Sequence, residues 1–212
     1  MGCAAGLTPG LVMASDLAPP VQESLSFKIF WQGSDIGRHV QTIVPMGGNG
    51  SFTVTTSVDM LVKVAFITAY RYEHEGQEVW REGFLQSVAS RTHDDGEDVE
   101  MSGTRTAEGF ETQGKFGHVI APHNVMTSNT LWSPKILDER RVLDSQNGDV
   151  MNVSTQFEGK DKVDVPEGVE EARKYRFVTP TMAGHIWYDE TGDWVKGLFK
   201  KDGEAVEYIR DA

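Results

Sequence analysis

From Leu25 onward, apolar and polar residues alternate with a period of two along most of the chain, the pattern of strands that bury one face. Residues 25–31 and 37–44 flank Gln32, Gly33, Ser34 and Asp35, whose Gly and Asp suit a tight reversal, so the first expected unit is a hairpin. A turn over residues 45–50 leads into a β-branched third strand at 51–56. Between positions 60 and 74 the even residues are Met60, Val62, Val64, Phe66, Thr68, Tyr70, Tyr72 and His74. A single strand there would carry a face grading from aliphatic to aromatic and polar, with Lys63, Arg71 and Glu73 opposite. Glu75, Gly76 and Gln77 then read as a three-residue turn into a strand over 78–92. That register pairs His74 with Glu78, Tyr72 with Trp80, and Tyr70 with Glu82.

An acidic turn at residues 93–98 and shorter strands through Val119 follow. Residues 121–148 break the alternation with Pro122, Pro134 and several Asn, and 135–143 could form about two helical turns. This segment reads as an insertion that covers the interior as a lid. Strands resume at 150–158, 173–180, 184–189, 194–200 and 205–210. No repeat of about 20–50 residues recurs, which disfavours a solenoid or propeller. Roughly nine or ten strands with little helix predict a mainly β fold, an antiparallel curled sheet or half-barrel around an apolar pocket with a short helical or irregular lid.

Composition narrows the partners. The chain has 212 residues, with 32 acidic against 20 basic side chains and a net charge of -12, a field that repels phosphate backbones and argues against nucleic acid. No apolar run reaches the roughly 18 residues of a membrane span. The single cysteine, Cys3, excludes an internal disulfide and a cysteine metal cluster. Residues 1–20 are small and uncharged, with a cleavage-like Val12, Met13 and Ala14 but no basic start, so they read as a cleavable or inert leader. Residues 21–212 are then one domain. A periplasmic, membrane-associated or secreted location follows if the leader is removed, and the cytoplasm stays open as the alternative.

The motifs for nucleotide cofactors, serine hydrolysis and zinc proteases are absent, and no two of the six His sit at i, i+2 or i, i+4. The expectation is therefore no metal and no cofactor. The strongest constellation is Tyr70, Tyr72 and His74 with Trp80 and Glu82 on the inferred inner face, with Phe66 lining the same wall. An apolar wall raises a carboxyl pKa and lowers that of His, which would let His74, Glu82 and Tyr72 exchange protons with an epoxide or ketone. The competing reading has the Tyr hydroxyls and Glu82 satisfying each other at the rim. In the lid, Asn129 and Trp132 are candidate ligand contacts and Asp144 a candidate acid, against ordinary turn and capping roles. Near the C-terminus, the inner face of 184–189 carries either Tyr188 as a lining residue or His185 as an acid or base.

Gly33 to His39, Tyr70 to His74, Trp80, Asp94 to Gly96, Asp144 to Gly148, Trp187 to Asp189 and Trp194 resemble an uncharacterised bacterial family, one of the domains of unknown function, over about residues 25–210. The resemblance implies export and the half-barrel of lipoprotein carriers. The lid departs from the family pattern, since residues 127–132 are longer than its usual Thr/Ser-Ser-aromatic-Trp. Chain size and the leader also resemble cofactor-free ring-opening lyases. That likeness implies acid-assisted opening of a small terpenoid epoxide, with Tyr72, His74, Trp80 and Glu82 serving and Asp144 or His185 as competing acids. The alternative is a non-catalytic periplasmic carrier of a lipid or other apolar molecule. A small hydrophobic ligand is the expected partner in both cases, with a homodimer as the further partner expectation.

Overall fold

The structure is a computed structural model that describes residues 23–47, 50–64, 66–166, 168–201 and 203–211; the leader expected at 1–20 lies outside them. The first eight strands form an antiparallel meander: β1 (Glu23–Trp31), β2 (Ser34–Pro45), β3 (Ser51–Val64), β4 (Ile67–Arg81), β5 (Phe84–Asp94), β6 (Glu97–Arg105), β7 (Phe110–Gly114) and β8 (Gly117–Ala121). After the insertion come β12 (Ser154–Val165), β13 (Gly168–Val178), β14 (Ala183–Tyr188), β15 (Trp194–Lys201) and β16 (Glu204–Asp211), also antiparallel, and β16 pairs with β1. The result is one 13-stranded sheet that runs from β12 to β8 and does not close.

Three hairpins use the same device. Gln32-Gly33, Glu82-Gly83 and Asp95-Gly96 all have positive φ at both positions, as a two-residue turn matched to strand twist requires. Two of these reversals fall where the sequence pattern predicts them. The third corrects a predicted register: Glu75, Gly76 and Gln77 lie inside β4 rather than in a turn, and the reversal comes at Glu82-Gly83. The stretch from Met60 to His74 is likewise not one strand, because the chain reverses at Phe66 and Met60 pairs with Tyr72 across the β3–β4 hairpin. His74 and Glu78 are therefore not cross-strand partners. They sit on one strand and one face.

The insertion forms β9 (Met126–Thr127), two short 3-10 helices (Thr130–Trp132 and Pro134–Asp138), β10 (Arg141–Leu143) and β11 (Val150–Asn152), in place of two expected helical turns near 135–143. It goes deeper than a cover. Val125, Leu131, Trp132, Ile136, Val142 and Leu143 join Phe27, Phe52, Trp80, Leu85 and Phe110 of the inner wall in the main apolar core. The ring of Trp132 meets those of Phe52 and Trp80 edge-on, at 5.5 and 5.8 Å. An open sheet cannot bury its inner face against its own far wall, so the insertion supplies the second layer.

Candidate functional site

Inner-facing residues of β2 to β5 form three tiers. One end is apolar, with Ile43, Phe52, Val54, Trp80 and Leu85. At the other end a second apolar cluster gathers Ile29, Val58, Met60 and Tyr72, with the partly buried Ile36, Tyr70, Val206 and Tyr208 against it. Between them lies a buried polar belt. Gln41, Thr56, Gly76 and Ser90 stand directly opposite one another across four strands, with His39, His74 and Thr92 in the adjoining row. Period-two alternation puts these side chains inward together with the apolar ones.

The belt is where the insertion docks. His74, 1% exposed, has both ring nitrogens engaged: Nδ1 lies 2.8 Å from Thr92 Oγ1, and Nε2 lies 3.0 Å from the side-chain nitrogen of Asn129. Because the amide of Asn129 donates to Nε2, the Nδ1 proton goes to Thr92, which fixes the neutral tautomer. Burial agrees, holding His74 down to about 4. Gly76 makes room for this contact, since a Cβ there would sit 3.3 Å from Nε2 of His74 and 3.6 Å from the Asn129 amide nitrogen. The Asn129 carbonyl accepts from Gln41 Nε2 at 2.7 Å, and Gln41 Nε2 also donates to Thr56 at 3.1 Å.

One turn of strand along, the fully buried carboxylate of Glu78 accepts from Trp80 Nε1 at 2.8 Å and from the Thr127 hydroxyl at 2.5 Å. Burial raises its pKa, and these two donors pull the other way. Ser90 donates to the Ser145 carbonyl at 2.5 Å, adding another tie between wall and insertion.

At the boundary with the second apolar tier, the ring of His39 lies among Phe27, Trp194 and Tyr208, with centroids at 6.0, 5.4 and 5.9 Å. Burial, and secondarily the field of His74, hold His39 down to about 3. Its Nε2 is buried with no hydrogen-bond partner, and so is Oε1 of Gln41 two residues along the same face. Tyr208 is pushed up to about 12 by burial.

The sequence-predicted residues divide accordingly. His74 and Asn129 are brought into direct contact, Trp80 and Trp132 pack together, and Tyr72 lines the second tier. Tyr70 donates to Asp94 at 2.8 Å, at the partly exposed end. Tyr188 faces inward and donates to the Leu131 carbonyl at 2.9 Å, which settles the orientation of that strand. His185 therefore points to the other face and sits 3.1 Å from Glu158, away from the interior. Glu82 is corrected: it occupies a hairpin turn at φ 51, and Glu78 is the inner carboxylate. Phe66 is corrected too, being fully exposed at the β3–β4 reversal. Asp144 shapes a turn, accepting from Gln146 N and the Asn147 amide at 2.9 and 2.7 Å. His39 and Gln41 escaped sequence reasoning, although the alternation of His39, Gln41 and Ile43 placed them inward.

A recess of about 820 Å³ is on the outer face behind the belt, with Thr42, Thr55, Ser57, Gln77, Ala89 and Ser102 in its lining. A second of about 460 Å³ adjoins it at Glu75 and Arg91. None of the predicted site residues lines either. Among the described residues, no group of three or more His, Cys, Asp or Glu side chains could hold a metal ion. No helix among them is long and apolar enough to cross a membrane.

No curated protein matches the chain. Among solved structures, it is similar to a β-barrel-like protein of domain of unknown function DUF1849 from Brucella abortus, at 7% identity and a TM-score of 0.61, covering 89% of this chain and 94% of that one. That likeness concerns the fold. Residues 27–211 match the domain of unknown function DUF6134, and the chain belongs to that family.

Proposed function

We propose that the protein is a non-catalytic carrier that binds a small, largely apolar molecule inside the half-barrel, where the polar belt meets the tier of Ile29, Val58, Met60 and Tyr72. The observation that carries this reading is the set of three buried polar atoms without a hydrogen-bond partner among the described residues, Nε2 of His39, Oε1 of Gln41 and Nε1 of Trp132, of which the first two lie on one face of β2. Leaving such an atom unpaired costs about 1–3 kcal/mol, which a ligand's hydrogen bond would recover. Aromatic rings enclose His39, and the partly buried Tyr70 and Tyr208 offer an approach from that end. His74 supports binding over chemistry, because both of its nitrogens are already engaged. Native mass spectrometry of the gently purified protein, with titration of a fluorescent apolar probe, tests the reading. A bound small molecule or saturable probe binding is expected, and a folded protein showing neither would sink it. An envelope or secreted location and a homodimer belong to the same proposal, read by cell fractionation and sedimentation.

A second reading has one observation in its favour. The raised carboxyl of Glu78 is bonded to Trp80, whose ring packs with Phe52 of the same wall and with Trp132 of the insertion, an acid beside aromatic faces of the kind that stabilise a carbocation. This suits acid-assisted opening of a terpenoid epoxide of the type catalysed by α-pinene oxide lyase. Gas chromatography after incubation with α-pinene oxide decides it. Turnover lost in Glu78→Gln supports the lyase, and turnover no greater than with heat-killed protein removes it.

A further inference from the structure

The β3–β4 hairpin outruns its neighbours. β2 follows β3 only as far as the pair Gly37 and Met60, and β5 follows β4 only as far as Tyr72 and Asp94. Beyond those levels residues 61–64 and 67–71 pair as strands only with each other, so a two-stranded arm stands about 13 Å clear of the sheet. One hydrogen bond from Asp95 N to the Arg71 carbonyl, at 2.8 Å, ties its base to the β5–β6 turn. At its end Phe66 is fully exposed and Ile67 is 74% exposed. The turns at Gln32-Gly33 and Asp95-Gly96, on the same end of the sheet, are polar.

Polarity is graded along the arm. Phe66 and Ile67 give way to the exposed Thr68 and Ala69, Lys63 stands opposite Thr68, and Tyr70 and Arg71 follow toward the base. Residues 61–71 hold two cations and no acid in a chain of net charge -12, and acids resume at Asp59, Glu73, Asp94 and Asp95. An apolar tip with a lysine about 7 Å behind it and a tyrosine nearer the base matches the layering of a bilayer surface. There an inserted apolar face lies roughly 5–10 Å deep, while Lys and Tyr settle among the head groups. Two side chains on a narrow arm fall far short of the roughly 800 Å² per partner that a stable protein interface buries. A fluid lipid surface demands no matching shape.

We propose that this arm is a membrane-contact device, in which Phe66 and Ile67 enter the interface of a lipid surface of little net charge and Lys63 meets its head groups. The acids behind the arm disfavour an anionic surface. Met60 and Tyr72, where the arm leaves the sheet, belong to the second apolar tier, and Tyr70 packs on it, so the contact sets that end of the half-barrel against the lipid. The arm's role and the carrier reading rest on different residues and can fail separately.

The test floats the full chain with phosphatidylcholine vesicles. The unmodified protein should rise with them, and Phe66→Ser should lower its partition constant about tenfold. Phe66→Trp should keep the binding and show added fluorescence that bromines placed just below the lipid head groups quench. Val169→Ser, at an exposed apolar position of β13, should change nothing. Residues 1–20 are common to all four proteins, so differences among them report the arm, and circular dichroism checks each fold. Absence of flotation, equal flotation of Phe66→Ser, or flotation only with phosphatidylglycerol overturns the proposal. So does a dimer in sedimentation that Phe66→Ser dissociates, which would assign the tip to a second copy of the chain. A protein that floats but is empty in native mass spectrometry keeps the arm and removes the carrier, and a loaded protein that never floats does the reverse.

Discussion

The amide of Asn129 and the imidazole of His74 meet at 3.0 Å, and this contact joins the insertion to the inner wall of the half-barrel. It orders His74 into one tautomer, and it sits over Gly76, the one inner position of β4 without a side chain. Replacing Asn129 by Ala leaves Nε2 of His74 buried and unpaired, and should cost about 1–3 kcal/mol in urea unfolding. It should also move the His74 titration measured by NMR. An unchanged unfolding midpoint would show that the contact does not tether the insertion.

Acid should unfold the protein earlier than its carboxylates alone would suggest. The pKa values of His39 and His74 are depressed in the folded state, to about 3 and about 4 from 6.5. Above pH 6.5 both are neutral, folded or unfolded, and contribute no pH dependence. Below it the unfolded chain takes up protons that the folded one refuses, so stability falls by about 1.4 kcal/mol per pH unit for each histidine until its folded pKa is reached. Urea midpoints between pH 7 and pH 4 read the slope, and His39→Phe should remove roughly half of it.

Glu78 predicts the opposite trend. Burial raises its folded pKa, so its ionisation disfavours the folded state as pH rises through that value. Glu78→Gln keeps an oxygen for Trp80 and removes the buried charge, so it should be nearly neutral at pH 5 and no worse than neutral at pH 8. Glu78→Ala strands both Trp80 Nε1 and the Thr127 hydroxyl and should cost about 2–4 kcal/mol. Equal losses for Gln and Ala at pH 8 would mean the carboxylate's charge is needed.

Trp132 fills the half-barrel between Phe52 and Trp80. Trp132→Ala should destabilise by about 3–5 kcal/mol and expose the inner wall to an apolar dye. A loss under about 1 kcal/mol would show that the insertion is a loose cover.

Glu82 provides a contrast. At φ 51 it bears a strain that Asn or Gly relieves, so Glu82→Asn should leave function intact and raise the melting temperature slightly. Loss of ligand binding in that variant would restore Glu82 to the site.

Strand alternation made much of the architecture legible. Parity alone put Tyr72, His74 and Trp80 inward, and they are inward, because slipping a register by an even number of residues leaves the faces unchanged. The turns were harder. Glu82-Gly83 lacks the Asn or Asp that advertises a two-residue reversal, whereas Glu75-Gly76-Gln77 looks like a turn and is strand, its glycine serving a tertiary contact with Asn129. The chemistry was legible only in part for the same reason. A carboxylate was expected opposite His74, but nothing local in Glu78 says that Thr127, far along the chain, will meet it. His39 and Gln41 were hidden because the absence of a hydrogen-bond partner is a property of the assembled interior.

The pairing of β1 with β16 also sets an order of events during synthesis. Phe27 and Ile29 belong to a strand whose outer hydrogen-bonding edge is completed by Arg210 and Tyr208, from the other end of the sequence. A nascent chain can zip β1 through β8 by local hairpins, each closing a short loop. It must then hold the β1 edge open until β16 emerges, and an open strand edge is a template for wrong partners. The fold therefore carries its folding hazard at its first strand, where a holding chaperone would have the most to protect.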